Sequence, residues 1–586
     1  MKILIAKTAG FCMGVRRAVE MVLDAPGKHE SPIYTYGPLI HNPQVLNLLN
    51  EKGISDINEI PDILIPGNTK KQGTVLIRAH GVPPHVKDDL KNAGFTVIDA
   101  TCPRVIKIQT IIRKHTEKGY EAIIIGDKDH PEVTGLLGYA GEKGHVVGTM
   151  DDFESLQAFD KAIIVAQTTQ HTDFFEKIKD LTGSRFPHYK VFDTICDSTE
   201  KRQEEVKHLA SSVDALVVVG GYSSGNTQRL AEIAKQAGIP AYHIETESEL
   251  DLKALASVRH IGITAGASTP NWITKRVFRT LESLPFDKTR GWQSWLFKVQ
   301  RTLLLTNIYV AFGAGCLCYA CTQFMEIHHY DSYVFISMLY VLSMHILNNL
   351  TGMKADRYND PDRAAFYDTH MIFLTALALI AGGVGLIKAY TMGQVPFLAL
   401  LIMSLMGLSY NLKLVPDSVT GAKYRSIRDI PGSKTVLIAV AWGVVTSLFP
   451  SLSASGRIDI GTLIVFMVST FMVFVRTAFF DILDMQGDRI MGKDTIPILM
   501  GEKQTMKFLK SALLVIIFIL LLSGIFDFTS NTGLALTICP ALMLTVLYAH
   551  EKRYTMPGVR LEFLIETHFV LSGIITLFWT LIMKNH

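Results

Sequence analysis

The first 285 residues contain no apolar run long enough to cross a bilayer, and the opening KILIAK has no basic lead-in, long apolar core or small-residue cleavage site. This half is therefore expected to stay in the cytoplasm. Cysteine is scarce: seven occur in 586 residues, and only Cys12, Cys102 and Cys196 fall in the first half. An odd trio in a reducing compartment excludes a disulfide framework. No Lys/Arg run is interleaved with aromatics and the net charge is only +3, so nucleic acid is set aside as a partner.

The length exceeds that of one ordinary domain, and the composition changes near residue 300. Residues 1–285 alternate short apolar runs with charged helical stretches, the pattern of a soluble α/β protein. Residues 286–301 read as a linker, and 302–586 as a membrane domain. Within the soluble half each cysteine ends a strand-like run and opens a helix-like one: KILIAKTAGFC before GVRRAVEMVL, FTVIDATC before PRVIKIQTIIRK, YKVFDTIC before DSTEKRQEEVKHLA. The intervals, 90 and 94 residues, predict one α/β unit used three times, with the cysteines brought together about an axis.

Other polar residues also sit just after apolar strands: His80, His130, Glu132, Thr168, Ser224, Asn226 and Ser268. Ligands of α/β proteins bind beyond the carboxyl ends of strands, where helix N-termini favour an anion such as a diphosphate. Three thiolates suit a catalytic zinc with one open position or a four-iron cluster with one iron free, and the count leaves both open. Three unrelated buried cysteines are the plain alternative. Equal spacing and identical strand-to-helix placement count against it.

The strings GFCMGVRRAV, HNPQV, RAHGV, DATCP, DHPEVTG, AQTT, TICDSTEKRQ, GGYSSGNTQRLAEIA and ITAGASTP resemble, in order and spacing, the LytB/IspH family of 4-hydroxy-3-methylbut-2-enyl diphosphate reductases, over residues 1 to about 283. The resemblance implies a pseudo-threefold α/β trefoil around a [4Fe–4S] cluster on Cys12, Cys102 and Cys196. It implies diphosphate contacts from His41, His80, His130, Ser224, Asn226 and Ser268, with Gly225 contributing backbone only. It further implies proton delivery by Glu132, Thr168 beside the substrate hydroxyl, an allylic diphosphate substrate, and an electron donor such as ferredoxin or flavodoxin.

From Thr302 onward about nine apolar stretches approach the roughly 20 residues needed to span a bilayer, near 302–324, 333–350, 370–388, 394–412, 434–452, 460–480, 508–527, 532–549 and 563–583. Loops after the even-numbered spans carry fifteen Lys/Arg, from Lys354 to Arg560, whereas the opposite loops and tail hold Lys388, Arg457 and Lys584. This positive-inside pattern predicts an inner-membrane protein with the reductase-like half cytoplasmic and the C-terminus outside. Asp481, Asp484 and Asp488 fall at i, i+3 and i+7 on one helix face, suited to Mg²⁺ bridging to a diphosphate. Asn349 and Asp356 repeat the seven-residue spacing, and Lys413, Lys423, Arg425 and Arg428 offer counter-charge. Nine spans with two such loops resemble the UbiA superfamily of intramembrane prenyltransferases across roughly 295–586. The first loop lacks two of the carboxylates usual there, so an inactive anchor stays open beside a prenyltransferase. A transporter also stays open, disfavoured by the lack of obvious inverted repeats.

Overall fold

The computed structural model describes residues 2–59, 73–284, 291–410, 427, 430–490, 493–526, 528–552 and 558–584. The chain divides into two units, Met1–Asp287 and Lys288–His586. Lys413, Lys423, Arg425 and Arg428 lie outside the described residues.

The first unit contains strands β1 (Lys2–Ile5), β2 (Ile33–Tyr36), β3 (Ile54–Ile57), β4 (Thr74–Ile77), β5 (Thr96–Asp99), β6 (Glu121–Ile125), β7 (Gly144–Val147), β8 (Ala162–Ala166), β9 (Lys190–Val191), β10 (Ala215–Val219), β11 (Ala241–Ile244) and β12 (His260–Ala265). They form three four-stranded sheets, ordered β3-β2-β4-β5, β7-β6-β8-β9 and β1-β12-β10-β11. Every pairing is parallel. The inner strands β4, β6, β8, β10 and β12 are nearly continuous apolar runs because helices cover both faces of a parallel sheet. Separate apolar cores fill the spaces between sheets and helices.

The threefold repeat is permuted relative to the chain. Strands β2 to β5 make one unit and β6 to β9 the next, but the third is completed by β1, which pairs with β12 from Lys2↔His260 to Ile5↔Ile263. The cysteines follow β1, β5 and β9, the equivalent edge strand of each sheet, and each is the N-cap of the next helix: Met13–Lys28, Pro103–Thr116 and Asp197–Ala210.

In the second unit seven helices are long and apolar enough to cross a membrane, which makes this a multi-pass membrane protein. They are Asp331–Met353, Met371–Met392, Ser433–Ser455, Ile460–Arg489, Glu502–Ile525, Thr532–Glu551 and Val559–Met583. The pair Trp295–Leu305 and Ile308–Phe324, bent by 74°, is long and apolar enough only when taken together, and as one broken span it makes an eighth. Gln394–Ser409, at the fourth expected span, is a shorter apolar helix. The sequence pattern places the first span at 302–324, but Thr302–Leu305 belongs to the preceding helix, Gly291–Leu305, and the chain turns at Asn307, which takes up left-handed φ of 57°. Trp442, Phe479 and Phe569 are among the largest side chains fully or nearly fully buried in this bundle.

Because the third sheet needs both ends of the first unit, a fragment 1–285 should unfold in one cooperative urea transition. Deleting residues 1–6 should lower its stability by about 2 kcal/mol or more through lost ladder hydrogen bonds and apolar burial. An unchanged midpoint would contradict the role given to β1.

Candidate functional site

The three thiols are drawn together by contacts between the helices they cap. A Cβ on Gly14 would lie 2.5 Å from Cys102 Sγ, so only glycine lets the first helix approach that sulfur. Arg17 Nη1 donates to Thr101 O at 3.0 Å, and Arg104 Nη2 pairs with Asp197 Oδ2 at 2.7 Å. Burial pushes the Cys102 and Cys196 thiols up, opposed by the backbone N–H groups of Arg104 and Val105 for the first and of Ser198 and Thr199 for the second. Val15 N–H donates to Cys12 Sγ at 3.5 Å.

Three thiols with one coordination position left open suit either of the two metal chemistries. Among the described residues, the group of three or more metal-ligand side chains whose donor atoms all lie within 4.8 Å is His41, His80 and His130. Three N-capping sulfurs, each near backbone N–H groups, fit a multi-iron cluster with one iron left free.

Beyond the inner strands lies a polar pocket. His41 follows β2, His80 follows β4, and His130 follows β6 and caps helix Pro131–Ala140. Their ring centroids are 4.6, 5.4 and 5.6 Å apart. The third sheet contributes Ser224 after β10 and Ser268 after β12. Ser268 Oγ donates to His41 O at 3.1 Å and lies 3.4 Å from Ser224 Oγ. Asn226 and Gly225 open the helix that Ser224 caps. His41 Nε2, His80 Nδ1 and both side-chain atoms of Asn226 are buried without a protein hydrogen-bond partner.

Such a set of nitrogens resembles a zinc site, but one tautomer argues otherwise. The Glu132 N–H donates to His130 Nδ1 at 3.1 Å, so in the neutral ring Nε2 carries the hydrogen and cannot ligate a metal. The pocket therefore presents donors, as an anion requires. Burial holds all three histidines below their ordinary range. His80 is well below it, with charge on His41, His130 and Arg78 adding to the effect, and His130 is brought to about 4.

Glu132 is 1% exposed. Its Oε1 accepts from Thr168 N–H, and its Oε2 bonds the Thr168 hydroxyl, both at 2.7 Å. Burial raises the carboxyl above its usual range despite these bonds. Sequence reasoning missed Arg229, which is almost fully buried and joins Asp127 at 2.8 Å across the site. The available signal was its place in GNTQRLAEIA, five residues after Ser224.

In the second unit Asp481, Asp484 and Asp488 share helix Ile460–Ile490, while Asn349 and Asp356 share helix Asp331–Asn359. The ends of the two helices meet: Asn359 Nδ2 donates to Asp488 Oδ1 at 2.9 Å. A Cβ on Gly487 would stand 1.7 Å from Asn359 Oδ1, so this approach requires the glycine of DMQGD. Asp481 Oδ2 accepts from Thr435 Oγ1, and Lys434 lies within electrostatic reach of Asp481, Asp488 and Asp356. Asn349 Nδ2 instead donates to Tyr367 Oη at 3.2 Å. Asn359 and Thr435 went unread in the sequence, although Asn359 follows Asp356 at helical spacing. Carboxylate and amide oxygens are hard donors, a set that fits Mg²⁺. Deeper in the bundle, Arg476 and Glu566 form a buried ion pair joining two spans.

Fold and sites define a protein of two parts: a three-sheet α/β unit with an anion pocket beside three thiols, and a polytopic helical unit with gathered carboxylates. Residues 3–282 match the LytB protein family and residues 308–563 the UbiA prenyltransferase family. The first half is similar to the 4-hydroxy-3-methylbut-2-enyl diphosphate reductase of Trichlorobacter lovleyi, 41% identical over 284 residues, 48% of this chain and 99% of that protein. It is also similar to the reductase of that name from Solidesulfovibrio magneticus, 46% identical over 292 residues, 48% of this chain and 100% of that protein. The second half is similar to the apo structure of a UbiA homolog from Aeropyrum pernix K1, 12% identical, covering 46% of this chain and 98% of that one, with a TM-score of 0.36. The chain belongs to the LytB family, whose enzymes use an iron–sulfur cluster, and continues into a UbiA-family membrane domain.

The depressed histidines make the pocket a proton acceptor when an anion enters. A diphosphate offsets the cost of charging them, so their pKa values rise from the low values of the empty pocket. At about pH 6, calorimetry of inorganic pyrophosphate binding in buffers of different ionisation enthalpy should show net proton uptake, diminished in His130→Asn. Binding with no proton uptake would contradict this electrostatic reading.

Proposed function

We propose that residues 1–285 reduce 4-hydroxy-3-methylbut-2-enyl diphosphate to isopentenyl and dimethylallyl diphosphate. The observation that carries this reading is the convergence of unpartnered His41, His80 and Asn226 on one buried pocket that also holds the Glu132–Thr168 pair. The diphosphate takes hydrogen bonds from His130 Nε2–H, from His41, His80 and Asn226, from the Ser224 and Ser268 hydroxyls, and from backbone at Gly225.

The overall change consumes two electrons and two protons: the allylic C–O bond breaks, the oxygen leaves as water, and a C–H bond forms. Cys12, Cys102 and Cys196 hold a [4Fe–4S] cluster that supplies, when bound, Lewis acidity for the hydroxyl oxygen and single-electron transfer. The electrons come from an external one-electron donor of the ferredoxin or flavodoxin class. Glu132 supplies protons. Thr168 N–H donates to Oε1 and the Thr168 hydroxyl to Oε2; when Oε2 takes up a proton it donates to Thr168 Oγ1 in turn, freeing the threonine hydrogen for the substrate oxygen. The raised carboxyl pKa keeps that proton available nearer neutral pH.

The membrane half is proposed to transfer a prenyl group from an isoprenoid diphosphate to an acceptor. Mg²⁺ would be held by Asp481, Asp484 and Asp488 with Asn349 and Asp356, and Lys434 would counter the diphosphate charge. The Lys/Arg distribution supports an inner-membrane protein with the reductase on the cytoplasmic side and the C-terminus outside.

Two variants of the full chain separate the activities. Under anaerobic conditions Glu132→Gln should bind substrate but turn over slower by a factor of roughly a hundred to ten thousand, since the amide keeps shape without a transferable proton. Asp481→Asn should abolish Mg²⁺-dependent release of diphosphate from a prenyl donor and leave the reductase rate unchanged. Near-normal turnover in Glu132→Gln would remove that residue as proton donor. Wild-type protein giving no transfer across a broad panel of donors and acceptors would make the membrane half an inactive anchor.

A further inference from the structure

The helix Gly291–Leu305 ends at a turn that is built into the fold. Asn307 stands in left-handed conformation, is buried, and donates from Nδ2 to Tyr367 Oη at 2.7 Å. The helix axis turns by 74° before the first span begins at Ile308. A second brace holds the helix in place, as Arg301 Nη2 pairs with Asp362 Oδ2 at 3.1 Å, in the loop region between the first two long spans. That region is on the side rich in Lys and Arg.

The two sides of this helix differ. Leu304 packs into the bundle, while Trp292 is 63% exposed, Trp295 65% and Leu296 39%. Positions 292, 295, 296, 299 and 303 fall within an arc of about 100° on a helical wheel. Exposed Lys298 borders that stripe. A helix of 15 residues is about 22 Å long, too short to cross a bilayer. Tryptophan favours the headgroup level, where an apolar ring and a polar N–H are both accommodated, and a neighbouring lysine reaches phosphate.

We infer that Gly291–Leu305 lies in the cytoplasmic interface of the bilayer, with Trp292, Trp295 and Leu296 sunk into the headgroup layer of phospholipids. Its seat is transmitted inward, because Tyr367, which accepts from Asn307, also accepts from Asn349 at 3.2 Å. The interfacial helix and the helix that carries Asn349 are thus mechanically joined.

The test uses the full chain in vesicles of phosphatidylcholine and phosphatidylglycerol. The chain has five tryptophans, so the difference in emission between wild type and the double variant Trp292→Phe/Trp295→Phe isolates these two. That difference emission should be blue-shifted. It should be quenched several-fold more by lipids carrying a spin label near the headgroup than by lipids labelled at the chain terminus or by aqueous iodide. Quenching mainly by iodide would place the helix in water, and quenching by none of the three would place it against protein. Either result overturns the inference, and an unchanged elution profile and helical circular dichroism of the double variant in detergent verify that the membrane half remains folded.

Discussion

Parallel strand pairing is the constraint on which the first unit depends. In a parallel sheet every carboxyl end lies on the same edge, so whatever follows the strands is delivered to one place. Here three sheets obey this rule, and their inner strands deliver His41, His80, His130, Thr168, Ser224 and Ser268, while the matching edge strands deliver the three cysteines. Pairing of β1 with β12 completes the third sheet. Without that pairing, Cys12 would have no fixed position relative to Cys102 and Cys196.

A pocket assembled in this way is electrostatically incomplete when empty. Three imidazoles held neutral by burial and an amide with no partner are costly to keep out of water. A multiply charged anion would satisfy them, and the same desolvation raises the Glu132 carboxyl above its usual range. One physical cause, burial in a low dielectric, thus depresses the bases that bind and raises the acid that delivers.

Much of this was legible in the sequence because it depends on local order along the chain. Strand, polar residue and helix follow one another in the sequence as they do in space, so the three cysteine junctions and the strand-end residues could be read from pattern. What could not be read is tertiary. The permutation that makes β1 the partner of β12 leaves no local trace. The same holds for the pairing of Asp127 with Arg229, 102 residues later, and of Asn359 with Asp488, 129 residues later. In the membrane half, hydropathy found the helices but not the break at Asn307, since a polar residue at an apolar run's edge is uninformative until its partner Tyr367 is known.

On the proposed reading both halves take isoprenoid diphosphates, by different means: hydrogen-bond donors and helix ends in the first, carboxylates suited to a bridging cation in the second. The central claim is the metal chemistry of the three thiols. Mössbauer spectroscopy with iron and sulfide analysis of the anaerobically purified full chain tests it most directly. The account predicts about four irons per chain in one cluster, lost when Cys12, Cys102 or Cys196 is changed to Ser and retained when Cys316, Cys318, Cys321 or Cys539 is changed. Stoichiometric zinc, or full iron content surviving all three of the first substitutions, would contradict it.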